Sequence, residues 1–192
     1  MSFLDWPVDR NSLSKSTLRR RKATALQLLA RFSHAFDEIK YDLFWDSAMV
    51  NAQAWRYGCR RCVTVYGGLV RHPAMSACGI ALMLAHETGH HLGGLPRDPD
   101  LRWPAWQGQA DYWAASQGMP KVFGRDAAGL TLRGAKQIAT LHEEFSEIDS
   151  EPDISAALRT AIFLAGARGV SIPGLLQDAF DRMIEERSRS DD

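Results

Sequence analysis

The chain has 192 residues, zero formal net charge, 45% hydrophobic and 24% charged residues. That length and balance suit one globular domain spanning 1–192, and they exclude a disordered chain and a bulk nucleic-acid binder. No run approaches the roughly 18 consecutive apolar residues of a membrane-spanning helix. The first 22 residues show no apolar segment followed by a small-residue cleavage site, so they do not read as a signal peptide. Three cysteines are too few for a disulfide scaffold, and the odd count points to a reducing compartment. A soluble, cytoplasmic protein is expected.

In chain order, residues 17–41 read as a helix. Leu18, Ala25, Leu28, Leu29, Phe32, Phe36 and Ile39 form its apolar stripe. The basic run Arg19-Arg20-Arg21-Lys22 near its start fits a solvated face. Cys59 and Cys62 form a lone CxxC; a zinc site there would need Cys78 and His72 as well, and a loop pair beside a strand is the simpler reading. Val63, Val65 and Leu69, with Tyr66 between, suggest a strand running into Gly67-Gly68. Residues 73–91 read as a buried helix with Pro73 in its first turn, Ser76 as cap and Gly93-Gly94 as its stop.

That helix carries His86-Glu87-Thr88-Gly89-His90. Residues four apart share a helix face, so His86 and His90 can offer two imidazoles to one metal ion. Glu87 then stands beside the ion, placed to take a proton from water. This is the HExxH arrangement of zinc hydrolases. Zinc tolerates open coordination and lowers the pKa of its water to about 7. The alternative is a pair of core histidines satisfied by backbone carbonyls. A loop rich in Pro and Trp follows, in which Trp103 and Trp106 line a pocket or simply pack. Residues 105–118 read as a second helix, with Gln107 and Asp111 one turn apart on one face. Helices are also expected over 131–148, 153–167 and 173–187, with Leu132, Ala135, Ile138, Leu141, Phe145 and Ile148 as the stripe of the first and His142 at its border.

The HExxH helix followed by Gln107-Gly108-Gln109-Ala110-Asp111 resembles the gluzincin metallopeptidases, above all the HtpX and CAAX-prenyl-protease type. In that family an E-x-x-A-D motif supplies the third metal ligand through its Glu, and its Asp braces a ligand histidine. Here Gln107 stands at the ligand position. The order Asn51-Ala52-Gln53-Ala54, Gly68-Leu69, His86 matches the family's N-A-x-A segment, G-L strand end and HExxH helix. The resemblance covers about residues 17–118. It implies a mainly helical α+β, zincin-like core with a short sheet on the HExxH helix, and the C-terminal helices 131–187 outside that core. It implies Zn²⁺ held by His86, His90 and Gln107, with Asp111 behind a histidine or, alternatively, as the third ligand itself. It implies Glu87 as catalytic base. Asn51, Ala52 and Ala54 would border the cleft for a peptide or protein substrate. Tyr112 and His142 are candidate oxyanion donors by residue type. A neutral amide is a weaker ligand than a carboxylate, so a catalytically weak or silent binding module is the competing expectation. Hydrolysis of a non-peptide amide is a third.

Overall fold

The computed structural model describes residues 13–145 and 154–190. The leader reading of the first residues, Ile148 and the first residue of the 153–167 helix lie outside them. The fold is α+β and mainly helical, with a three-stranded sheet.

Helix α1 (Lys15–Ala35) is opened by Ser14, whose side chain accepts from the Thr17 N–H. It buries Ala25, Leu28, Leu29 and Phe32. The expected continuation to Tyr41 is corrected. At Phe36 the backbone leaves helical values (φ −136°, ψ 72°), and Ile39–Phe44 forms strand β1. Phe36 and Ile39 are buried all the same, so the apolar spacing survives the change of element. The basic run is also not wholly solvated. Arg21 Nη1 donates to the carbonyls of Val70 (3.0 Å) and His72 (2.7 Å), and Lys22 lies over the Trp45 ring.

Strands β2 (Ala52–Tyr57) and β3 (Arg60–Tyr66) form a hairpin about Gly58, whose φ of +58° suits a residue without Cβ. Cys59 is exposed at this turn and Cys62 is buried within β3. The sheet order is β1-β3-β2, with β1 parallel and β2 antiparallel to β3. β2 is therefore an edge strand. Tyr66 N–H donates to Asn51 O, so backbone groups of Asn51, Gln53, Trp55 and Tyr57 turn toward β3, and those of Ala52, Ala54 and Arg56 turn outward. The strand expected to run into Gly67-Gly68 ends at Tyr66. Gly67–Arg71 is a short helix, α2.

Helix α3 (Ala77–Leu92) has the expected ends. Ser76 accepts from Cys78 N–H, and Gly93 closes onto Gly89 O. Every residue from Gly79 to His91 on it is buried. The helix expected over 105–118 starts at Gln107: α4 (Gln107–Trp113) passes through a π-helical turn (Ala114–Gly118) into α5 (Met119–Phe123). Helices α6 (Ala127–Phe145), α7 (Ala156–Ala167) and α8 (Pro173–Ser190) complete the chain. α6 packs on α3 and α7, and α7 on α4. No helix among the described residues is long and apolar enough to cross a membrane.

α3 and α4 touch backbone to backbone. A Cβ built on Gly89 would lie 2.7 Å from Ala110 O and 3.0 Å from Ala110 Cα. Both are rigid helix atoms, so a methyl group there must separate the helices. Gly89→Ala is expected to cost about 1–3 kcal/mol of stability by overpacking, although alanine is the better helix former. Denaturant unfolding of the variant measures it; unchanged stability would contradict this packing.

Candidate metal centre

His86 and His90 lie one turn apart on α3, 0% and 6% exposed, with ring centroids 4.6 Å apart. Each ring is fixed from behind at Nδ1. His86 Nδ1 donates to Asp111 Oδ1 (2.6 Å), and His90 Nδ1 donates to the Ala105 carbonyl (2.7 Å). With both Nδ1 atoms as donors, both Nε2 atoms carry lone pairs. Those two atoms face each other at 3.1 Å. Opposed lone pairs at this distance repel unless a proton or cation lies between them. Burial, reinforced by His86, pushes the His90 pKa well below the ordinary histidine value, so His90 meets this contact as an acceptor. Two nitrogens bound to one zinc at about 2.0–2.1 Å in tetrahedral geometry would stand roughly 3.3 Å apart. The donor set fits a cation.

Glu87 is 1% exposed and crosses from α3 to the sheet edge, where its Oε2 accepts the outward N–H of Ala54 (2.7 Å). Its Oε1 is buried with no hydrogen-bond partner and lies 4.0 Å from His86 Nε2. Among the described residues, His86, Glu87 and His90 are the group whose potential ligand atoms converge, all within 4.8 Å of one another. Cys59, Cys62, Cys78 and His72 form no such group.

Asp111 lies behind His86. Its Oδ1 meets His86 Nδ1 and Arg159 Nη2 (2.7 Å), and its Oδ2 accepts from Arg159 Nε (2.7 Å). Burial alone would raise its pKa, but Arg159 and His86 outweigh burial and hold the carboxyl below the usual carboxylate range. Both oxygens are thus committed on the Nδ1 side of His86, away from the paired Nε2 atoms. The alternative of Asp111 as a direct ligand has no counterpart in this arrangement.

Gln107 is placed by the antiparallel run of α3 and α4. Asp111 meets His86, Ala110 meets Gly89, and Ala105 meets His90. Gln107 lies one turn before Asp111 on the same face of α4. Its Oε1 is buried and has no hydrogen-bond partner. A buried amide oxygen without a hydrogen-bond partner is chemically able to act as a metal ligand. Asn51 is buried with its Oδ1 likewise unpartnered, at the head of β2, and Ala52 is buried beside it.

The two candidate oxyanion donors are engaged elsewhere. Tyr112 donates its hydroxyl to Val170 O (3.1 Å). His142 Nε2 accepts from Arg159 Nη1 (2.6 Å), and burial followed by that guanidinium drives its pKa down to about 3. Neither turns these atoms to the histidine pair. Of the tryptophans, Trp106 is buried against Phe180, while Trp103 stacks on His91 at 5.0 Å.

Arg159 is the site residue that sequence reasoning missed. It is 2% exposed and joins Asp111 to His142. The signal was present: Arg159, Ile162, Phe163 and Gly166 follow helical spacing as the buried face of α7, and one arginine on such a face requires a buried anion.

Comparison with known proteins finds no matching family model, curated protein or solved structure.

Arg159→Leu would strip Asp111 of its bidentate partner and leave a buried carboxylate with His86 alone. A loss of about 3–5 kcal/mol is expected, as for one half of a buried ion pair. Thermal and denaturant unfolding check this, and Arg159→Leu/Asp111→Leu should recover part of the loss. A larger deficit in the double variant would argue against their pairing.

Proposed function

We propose that this chain is a zinc-dependent metallopeptidase of the gluzincin type, similar to the HtpX and CAAX-prenyl-protease group. The observation that carries the reading is the pair of facing Nε2 atoms, both left as acceptors by hydrogen bonds at Nδ1. His86, His90 and Gln107 Oε1 would hold the metal. A zinc ion there supplies Lewis acidity toward a carbonyl oxygen and acidifies water.

The chain's own part is to place substrate and move a proton. Ala54 N–H is taken by Glu87, and the outward edge of β2 beyond it, from Ala54 O to Arg56, would meet an extended peptide, as edge strands do in strand addition. Ala54 N–H fixes Glu87 through Oε2, which leaves Oε1 to act. Oε1 takes the proton of the attacking water and delivers it to the leaving amine. Asp111 and Ala105 O hold the two imidazoles in the tautomer that keeps Nε2 basic. The second reading is a silent binding module that retains the fold, and Gln107 favours it, because an amide gives the metal no charge. Hydrolysis of a non-peptide amide would use the same groups.

Metal analysis paired with peptide cleavage tests the proposal. The purified chain should carry zinc, and His86→Ala should lose it. Glu87→Gln should keep zinc and lose cleavage by about a hundredfold or more. Metal content unchanged in His86→Ala would end the metal reading. Zinc bound without any cleavage would favour the binding module.

Gln107→Glu changes little volume and adds a negative charge. It should tighten zinc binding, measured by chelator competition, and raise peptidase activity. No gain in affinity would remove Gln107 from the ligand set.

A further inference from the structure

Beyond the metal-site residues lies a cluster of arginines that the proposed chemistry does not use. Arg56 is two residues past Ala54 on β2, so its side chain is on the same face and about 6.8 Å further along the strand. Arg61 on β3 is its direct cross-strand partner. The Arg56 guanidinium lies over Trp103, 4.7 Å from the ring centroid, and the other contact of that ring is the stack on His91. Arg97 comes to the same tryptophan, donating from Nη1 to its carbonyl. Burial, with Arg61 and Arg97 next, lowers the Arg56 pKa from its ordinary value. Like charges directly across a strand pair are destabilising. Among the described residues no ion pair involves Arg56, Arg61 or Arg97. The nearby Asp98 spends its Oδ1 on the N–H groups of Asp100 and Leu101.

We propose that Arg56, Arg61 and Arg97 form a carboxylate-binding subsite, so that this protein selects extended peptides bearing an acidic group about two residues from the position opposite Ala54. The choice of an extended peptide rests on the peptidase reading of the site; the anion preference rests on the cluster alone. A guanidinium held over Trp103 is already restrained, so less freedom is lost when it grips a carboxylate through two parallel hydrogen bonds. The outward backbone of β2 runs from Ala54 to Arg56, so one strand carries both the proton-handling contact and the anchor. The carboxylate has two sources, an acidic side chain or a chain terminus.

The test uses the full chain in chelator, so that binding is read without cleavage. Fluorescence anisotropy compares dye-labelled peptides identical except at one position: Glu with an amidated terminus, Gln with a free terminus, and Gln with an amidated terminus. At least one carboxylate-bearing peptide should bind roughly tenfold or more tighter than the uncharged one. Which of the two does so identifies the source. Arg56→Gln and Arg61→Gln should each remove most of that difference and leave the uncharged peptide unaffected. Arg56→Lys should restore part of it. Equal binding of all three peptides, including no detectable binding, overturns the proposal. So does an equal loss for charged and uncharged peptides in the variants. Cleavage is read separately with zinc: charge-selective binding without cleavage supports the subsite and overturns the peptidase reading alone.

Discussion

The buried ion pair of Asp111 and Arg159 is the constraint to which the site answers. A carboxylate with no exposure is tolerable only if its oxygens are filled, and Arg159 fills them with two parallel hydrogen bonds. The remaining capacity of Oδ1 falls to His86 Nδ1. The tautomer of His86 is thus set by an arginine on α7, brought in by the last third of the chain. His142 joins from α6 by accepting from the same guanidinium. Helices α3, α4, α6 and α7 meet at one polar cluster, in which a shift of α4 against α7 unpairs a buried charge and a shift of α3 or α6 breaks a buried hydrogen bond.

The sheet is tied in by a different bond. Glu87 reaches from α3 to the outward side of β2, and Ala54 N–H is the group it finds there. An edge strand normally leaves such a donor to water or to another chain. Here a buried carboxylate occupies it, and the other oxygen is held beside the histidine pair with no partner of its own. Thr88, the next residue, adds a second tie from α3 to the sheet through Tyr41 Oη (2.8 Å) on β1. The same helix therefore registers both edge strands, and the position of Glu87 relative to the sheet is fixed from two sides.

What could be read from the sequence follows from how local each signal was. The ends of α3 were legible because a serine cap and a glycine stop act within one turn. The pairing of His86 with His90 was legible because it needs only helical spacing. β1 was hidden because Phe36 and Ile39 continue the stripe of α1, and burial alone does not distinguish a helix from the strand that follows it. The π-helical turn after Trp113 was equally silent, since an extra residue in a turn leaves the apolar pattern almost unchanged. Arg21 read as a surface charge because the carbonyls it serves, those of Val70 and His72, are some fifty residues away in the chain. Arg159 was missed for the same reason. Its partner is 48 positions distant, and only the rule that a buried charge demands a counter-charge pointed to it.

The glutamine at position 107 gains meaning from this charge arrangement. Arg159 and Asp111 cancel, and the Nδ1 bonds of the two imidazoles leave their Nε2 atoms to face an incoming cation. Among the described residues, Glu87 is the carboxylate that converges with the Nε2 pair. A dication placed there would leave the centre with one net positive charge, where a glutamate at 107 would have left none. Such a charge in a buried site is costly unless an anion arrives to share it. Substrate carboxylates are one source of that anion, and the arginines two residues along β2 would favour them further. On the proposed reading, the neutral ligand and the basic subsite act in the same direction: both weaken the protein's hold on an uncharged peptide relative to an acidic one. A neutral side chain at 107 would then leave part of the site's charge balance to the ligand.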